Sequence, residues 1–516
     1  RIAGSYSNCL SEQGGVMERK RQIQIIIMVL ALVVFGTISA ARAEIKLTDN
    51  LSITGLLRYE LGLHTGGPNP NNAQFGNDNN DLNLSRFFFH TELTYQPSAK
   101  FKIFALTRFQ ADTTYHWDGE LDEYNAFPVD VPEDDWTMMK ASDDDWRAEI
   151  WELYADMTFG NLWLRLGRQQ IVWGEMIGAR ILDAANSLDR SWNFVFEPEE
   201  FELIRIPNWA IRASYNITEQ PITWISDLNI EAYLNPGDVY TTIDPEPGSP
   251  YNLRVYPPFF QIDEQDNRGN VEFGVRIGGM IGNIYGTLNY MSLHSDDSSL
   301  EFTGFTPDPV FGSPFLAGTG DPTLYAMMID AKYEPIDLYG LSLNSALGDP
   351  FNAVITYEGA WIPNQPYAKA GSSTPDIEDQ GTFKYAVRID RPTQVLPKQF
   401  LHSSMATLQF QVTQTIVEGD EDDIWGGGNS DIDKTVTNLT FQFKQPFWHN
   451  DFYVASQFIY DTDGAWLIKP QFRYYHGNHW YFDIYSAICA GSEKRPARFG
   501  NLYWADTVYG RVTYQF

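Results

Sequence analysis

Apolar and polar side chains alternate with a period of two along most of the chain beyond residue 50. In Leu51 to Leu63, Leu51, Ile53, Leu57, Tyr59 and Leu61 fall on one face, and Ser52, Thr54, Arg58 and Glu60 on the other. Phe87, Phe89, Leu93 and Tyr95 likewise oppose Arg86, His90 and Glu92. Phe452, Val454, Phe458 and Tyr460 oppose Tyr453, Gln457 and Asp461, and Trp466, Ile468, Phe472 and Tyr474 oppose Lys469, Gln471 and Arg473. Such alternation means strands with one polar and one apolar face. Runs of about ten residues suit a tilted strand crossing a hydrocarbon layer of about 30 Å. The pattern predicts about 18 strands, good to about two. The first nine lie near 51–63, 84–96, 101–112, 147–159, 162–173, 208–216, 226–235, 270–281 and 284–294. The others lie near 323–334, 350–363, 382–391, 401–417, 434–445, 450–461, 464–475, 478–489 and 502–516.

Connections between these strands largely alternate in length. Tight turns at Gly160-Asn161, Gly282-Asn283 and Gln96-Pro97-Ser98-Ala99 are followed by long polar stretches at 64–83, 113–146, 236–269 and 295–322. In a bilayer only closure satisfies every strand's backbone groups. The predicted fold class is therefore all-β, a transmembrane antiparallel β-barrel with short periplasmic turns and long outer loops. An even count puts both ends of the barrel on the periplasmic side.

Composition sharpens the picture. No run of 18 apolar residues follows residue 43, so no transmembrane helix is encoded there, yet aromatic residues make up 15%. Cys489 is the single cysteine after residue 43, which leaves closure to hydrogen bonding rather than an internal disulfide. Met17, the basic stretch Glu18-Arg19-Lys20-Arg21, the apolar run Ile23 to Ile38 and Ala41-Arg42-Ala43 have the layout of a secretory signal peptide. The expected organisation is an upstream extension at 1–16, a signal peptide at 17–43 and one barrel domain at 44–516. At the other end Val512, Tyr514 and Phe516 alternate with Arg511, Thr513 and Gln515. This aromatic terminal strand resembles the assembly signal of Gram-negative outer-membrane barrels, with Tyr514 and Phe516 as its expected determinants. The expected location is the outer membrane of a Gram-negative bacterium, and the expected partners are its lipid, its lipopolysaccharide and the barrel-assembly machinery. Nucleic acid is not an expected partner. Self-association of porin type stays open, since no repeat or interface signature shows.

The formal net charge is -31. Its excess lies in the connections, as in Glu133-Asp134-Asp135, Asp143-Asp144-Asp145 and Asp420-Glu421-Asp422-Asp423. Solvated loops explain such runs. Clustered carboxylates also suit calcium, but none of the runs has EF-hand spacing, and no metal or cofactor is expected. The inward faces are nearly balanced. Arg58, Glu60, Arg86, Glu92, Arg108, Glu152, Asp156, Glu231, Glu272, Arg276, Glu358, Arg388, Arg473 and Asp483 are the predicted lumen-facing charges. The eight histidines are scattered and no catalytic cluster forms, so an enzyme is not expected. The chain has no C-x-x-C-H for covalent haem.

The densest motif starts in the fifth predicted strand. Leu164-Arg165-Leu166-Gly167-Arg168-Gln169-Gln170-Ile171-Val172-Trp173-Gly174-Glu175 leads to Arg180-Ile181-Leu182-Asp183, Asn186-Ser187-Leu188-Asp189, and then Glu202, Arg205-Ile206-Pro207 and Trp209. These residues resemble a family of outer-membrane barrels of unknown function, related to the alginate-export type of porin. The likeness is sharpest over 160–215, and Ser187 stands where that family usually has proline. It implies a transport-type barrel without an established substrate. Ile177, Ile181, Leu182 and Leu188 lie among Glu175, Arg180, Asp183, Asp189 and Arg190. An apolar face set among opposite charges predicts a segment folded into the barrel over 174–200, with Gly167 and Gly174 as bends. The expected constriction consists of Arg165, Arg168, Glu175, Arg180, Asp183, Asp189 and Arg190. A loop folded over the outer rim is the alternative. The functional expectation is a porin or channel for small or amphipathic solutes. A non-conducting sleeve for a partner, or a role in lipid or polysaccharide export, is the second reading.

Overall fold

The computed structural model describes residues 44–66, 82–113, 140–143, 146–191, 203–218, 223–243, 260–264, 267–296, 298–306, 326–369, 377–419, 424–425, 434–492 and 499–516. Segments 1–16 and 17–43, residues 192–200 of the inward loop, and the acidic runs at 133–135 and 420–423 lie outside them.

Eighteen strands close into one antiparallel barrel. They are β1 (Leu51–His64), β2 (Leu82–Ser98), β3 (Phe101–Asp112), β4 (Trp146–Phe159), β5 (Leu162–Gln169) and β6 (Asn208–Asn216). Next come β7 (Ser226–Asn235), β8 (Glu272–Ile281), β9 (Ile284–His294), β10 (Pro335–Leu347), β11 (Ala353–Lys369) and β12 (Ile377–Thr393). The last six are β13 (Ala406–Val417), β14 (Thr435–Phe447), β15 (Phe452–Asp461), β16 (Ala465–His476), β17 (Trp480–Gly491) and β18 (Thr507–Gln515). Each pairs with its neighbour in sequence, and β18 closes on β1 from Leu56↔Gln515 to His64↔Thr507. Closure leaves no sheet edge.

Side-chain parity gives the wall its two faces. Leu61, Leu63, Ile211, Leu234, Phe273, Val275, Ile277, Leu288, Phe410, Phe441, Phe472 and Ile484 are exposed outside, while Arg58, Glu60, Arg86, Glu231 and Asp483 are buried inside. An exposed apolar belt around a polar interior suits a wall solvated by lipid. Among the described residues no helix is long and apolar enough to cross a membrane.

Phe516 completes the seam. Its N–H donates to the Gly55 carbonyl and its carbonyl accepts from the Gly55 N–H, both at 2.9 Å. Its ring stacks on Phe89 at 6.3 Å and on Tyr514 at 6.5 Å. A Cβ at residue 55 would lie 2.7 Å from the Phe516 ring, so the close approach requires glycine. Deleting Phe516 removes two backbone hydrogen bonds, each contributing about 0.5–1.5 kcal/mol, and the burial of one aromatic ring, about 1.5–3 kcal/mol. The deletion is expected to lower the midpoint of urea unfolding in detergent, and an unchanged midpoint would contradict this role.

One predicted strand is displaced. The pattern put the tenth barrel strand at 323–334, whereas the wall uses Pro335–Leu347. Residues Ala326–Lys332 instead form a separate three-stranded sheet with Phe260–Glu264 and Ser299–Thr306. The physical reason is that the first half of β10 faces the buried segment: Ile336 and Leu338 are buried inside while Tyr339 is exposed outside, and alternation resumes only over Leu341-Ser342-Leu343-Asn344. Half a strand of alternation is a weak mark. The predicted strand at 162–173 also stops early, at Gln169, because the chain there turns into the barrel. The edge of β4 that β5 thereby leaves is paired by the short strand Lys140–Asp143. The strand predicted from 401 begins at Ala406, after a longer turn over 394–405.

A bulge in β4 changes which residues face in. The register runs Leu106↔Glu152 and then Thr107↔Ile150, leaving Trp151 as the extra residue. Below it Tyr154 and Asp156 point inward; above it Arg147, Glu149 and Trp151 are buried.

Candidate functional site

The chain leaves the wall at the end of β5. Gly167 has φ +133, and a Cβ there would meet the backbone of Leu153 and Tyr154, so the exit is built on glycine. The Gln169 side chain then donates to the Ala210 carbonyl at 2.9 Å. Residues 170–191 run through the interior without regular structure, so their backbone groups need other partners. The Gln170 N–H donates to Glu152 at 3.1 Å, and the Ile171 N–H to the Asn186 side-chain oxygen at 2.7 Å. Asn186 in turn donates to the Ile206 carbonyl at 2.8 Å. The Glu175 N–H donates to Glu358 on β11. Gln411 on β13 accepts from the Ile177 N–H and donates to the Ile177 carbonyl, both at 2.9 Å. The return is pinned by backbone pairing of 187–189 with 204–206.

Apolar packing holds the segment to one side. Ile171, Trp173, Met176, Ile181, Leu182 and Ala185 form the largest buried cluster, against Ala210 (β6), Tyr233 (β7), Met291 and Leu293 (β9), Ile336 and Leu338 (β10), Ala360 and Ile362 (β11) and Ala386 (β12). The wall is recessed there by small residues. A Cβ at Gly340 would run into Leu182, and one at Gly274 would lie 3.0 Å from the Trp173 ring. Leu182 has no exposed surface. Leu182→Ala is expected to destabilise by about 2–5 kcal/mol, measured as a lower urea midpoint. A change within error would mean that the segment is not tightly packed.

Ion pairs fix the remaining charges. Asp183 accepts from Arg205 at 2.7 Å and 2.9 Å. Arg180 donates to Asp296 at 2.7 Å. Asp189 accepts from Arg108 at 3.0 Å and Arg147 at 2.7 Å, and Glu149 shares Arg108. Of the seven residues expected at the constriction, Arg180, Asp183 and Asp189 are thus anchors of the segment, and Arg190 joins them through its N–H to the Ile243 carbonyl at 2.8 Å. Glu175 is exposed, near Asn344, and its carbonyl accepts from Arg388. Arg168 is buried and donates to the Pro207 and Ile150 carbonyls at 3.1 Å and 2.9 Å. Arg165 sits apart, paired with Asp156 at 2.7 Å over the Tyr154 ring. Arg147, Glu149, Asp296 and Gln411 were not picked out by the sequence pattern. The first two change parity at the Trp151 bulge, and a lone glutamine or loop aspartate carries no pattern.

The other predicted inward charges also have partners. Glu231 accepts from Trp173 at 2.6 Å, Arg212 at 2.8 Å and Arg276 at 3.1 Å. Glu272 accepts from the His294 N–H at 2.8 Å, Arg388 pairs with Asp390 at 3.0 Å, and Glu92 accepts from Thr54 at 3.0 Å. On the wall away from the segment, directly opposed residues form one continuous row. It runs Tyr453↔Arg473↔Asp483↔Arg511↔Glu60↔Arg86↔Asp112 across seven strands. The row starts beside the short turn before β15 and ends at the last residue of β3, at the long-loop end. Its centre is Glu60, which accepts from Arg86 at 2.8 Å, Arg511 at 2.6 Å and the Tyr485 hydroxyl at 2.6 Å. Arg58, one pair further down β1, donates to the Thr513 and Tyr481 hydroxyls at 3.4 Å.

Comparison with known proteins gives a family. No curated protein matches the chain. Among solved structures, OccAB4 of Acinetobacter baumannii is similar over 91% of this chain and 98% of its own, at 6% identity and a TM-score of 0.47. OpdK of Pseudomonas aeruginosa, solved with vanillate, is similar over 91% and 98%, at 8% identity and a TM-score of 0.44. Salmonella typhi OmpF, in complex with daunomycin, is similar over 92% and 100%, at 10% identity and a TM-score of 0.40. Residues 24–516 match the model of a family described as "Protein of unknown function (DUF1302)". This chain belongs to the DUF1302 family.

Proposed function

We propose that this protein is an outer-membrane channel whose lumen is narrowed from one side by residues 170–191. The observation that carries the reading is the docking of that segment. It packs on the recessed inner wall from β6 to β12 and is hydrogen-bonded to β13 at its tip and, through Asp189, to Arg108 of β3 and Arg147 of β4. The inner face from β15 through β18 to β2 carries the charge row as far as Arg86 and makes none of these contacts. A barrel of about 18 strands is wide enough for an aqueous passage unless something fills it, and a segment held to one side narrows that passage. The apolar outer belt supports a lipid-embedded wall, and the basic-then-apolar run at 17–43 supports export to the outer membrane. Paired charges of both signs line the interior, so small polar solutes are the natural cargo, screened first by size.

Liposome swelling tests this reading. With the protein reconstituted, neutral sugars are expected to enter at rates that fall steeply from mono- to tetrasaccharide. Liposomes that stay osmotically tight to the smallest sugar would overturn the channel and favour a sleeve for a partner.

A further inference from the structure

One cluster on the inner wall takes no part in holding the segment, and it lies at the short-turn end, where the charge row begins. Tyr453 follows the turn before β15, and Tyr475 and Tyr481 flank the turn between β16 and β17. Their rings are neighbours, with centroids 6.2 Å apart for Tyr453 and Tyr475 and 5.8 Å for Tyr475 and Tyr481. Three cations stand among them. The Arg473 guanidinium lies 4.6 Å from the Tyr481 ring and 5.6 Å from Tyr453. The Lys444 ammonium lies 4.2 Å from the Tyr453 ring, and Arg58 reaches the Tyr481 hydroxyl.

The charges here are not balanced. Asp483 is the one carboxylate paired with Arg473, and it is fully covered, while Arg473 keeps 20% of its side chain exposed. Lys444 is exposed and has no carboxylate partner among the described residues. Glutamine and threonine side chains, which carry no charge, complete the neighbourhood at Gln442, Gln471 and Thr513. A cation over an aromatic face in a partly dry site attracts the ring by about 0.5–2 kcal/mol, yet its full charge stays available to an anion. Tyr453 is buried beneath the Lys444 ammonium, while the tilted rings of Tyr475 and Tyr481 are half-buried, so two partly open aromatic faces beside an unneutralised ammonium form a two-part receptor. One part takes a flat apolar body and the other takes a carboxylate.

We infer that Lys444, Tyr453, Arg473, Tyr475 and Tyr481, with Arg58, form a binding site for aromatic or flat apolar carboxylates at the short-turn mouth of the lumen. This names a solute class for the proposed channel, and so rests on that reading. An anion held by Lys444 and Arg473 enters or leaves the row of charges that begins at Tyr453.

Equilibrium binding of naphthoate to the purified, detergent-solubilised full chain tests the site without requiring conductance. Intrinsic naphthoate fluorescence anisotropy reports occupancy, with naphthalenemethanol and acetate as probes lacking the charge or the ring. The expected result is saturable naphthoate binding, weakened about tenfold by Lys444→Gln and restored by Lys444→Arg. The neutral alcohol should bind weakly and equally to all three proteins. Heat-modifiable gel mobility shows that each variant is folded, and the exposed position of Lys444 favours that. Absent naphthoate binding, or equal affinity in the native chain and Lys444→Gln, overturns the inference. Binding that behaves as expected in a protein that fails the swelling assay leaves the site standing and removes the channel.

Discussion

Glu60→Ala is expected to destabilise the barrel by about 3–5 kcal/mol, because it removes a buried carboxylate shared by two buried guanidinium groups. Glu60 has 1% of its surface exposed and accepts from Arg86, Arg511 and Tyr485. It sits on β1, opposite Arg511 of β18 and Arg86 of β2, so the loss falls on the seam that closes the barrel. Taking an ion out of water is costly, and only paired charges with their hydrogen bonds met recover that cost. Removing the carboxylate leaves Arg86 and Arg511 close together with like charge. Glu60→Gln keeps the shape and part of the hydrogen bonding, and so should fall between the two. Urea titration in detergent, followed by gel mobility of the folded form, ranks the three proteins. Equal midpoints for Glu60→Ala and the native chain would show that the row is held by the backbone ladder alone.

The second large effect concerns the inner segment. Glu358→Ala combined with Gln411→Ala removes the side chains that hold the Glu175 and Ile177 backbone, three hydrogen bonds in all. Glu358 on β11 and Gln411 on β13 are both buried, with 0% and 1% exposure. Without them the backbone around residues 175–177 must find other partners or water. The apolar cluster around Leu182 would remain, so the expected outcome is local release of the segment's tip in a barrel that stays closed. Hydrogen exchange should then speed up by about a hundredfold or more at residues 175–178, corresponding to loss of about 3 kcal/mol of local protection, with β14 to β18 unchanged. Uniform acceleration over the whole barrel would mean global destabilisation, and no acceleration would mean that the tip is held by packing alone.

Much of this architecture is legible in the sequence because a barrel wall writes its two solvents into alternate residues. Arg58 and Glu60 against Leu61 and Leu63 show the rule, and it yields the count of 18 strands. The rule fails where the interior is not polar. Ile336 and Leu338 face the buried segment, so the first half of β10 loses its alternation and the tenth strand is misplaced onto 323–334. A one-residue bulge has a similar effect: beyond Trp151 the inward parity changes, hiding Arg147 and Glu149. The inward segment itself is readable from Ile181, Leu182 and Leu188 among opposite charges. Its seat is not, since Gly274, Gly340, Ala360 and Ala386 become a recess only when the barrel brings them to one side. Nor do Gln411 or Asp296 carry any local signal for the backbone or guanidinium they meet.

Single-channel conductance in a planar bilayer, comparing the native chain with Glu358→Ala/Gln411→Ala, tests the central claim most directly. A narrowed channel predicts stable steps for the native protein and larger, noisier steps for the double variant, from a barrel of unchanged gel mobility. Steps of identical size would place the narrowest point away from residues 170–191. No steps from either protein would contradict the channel.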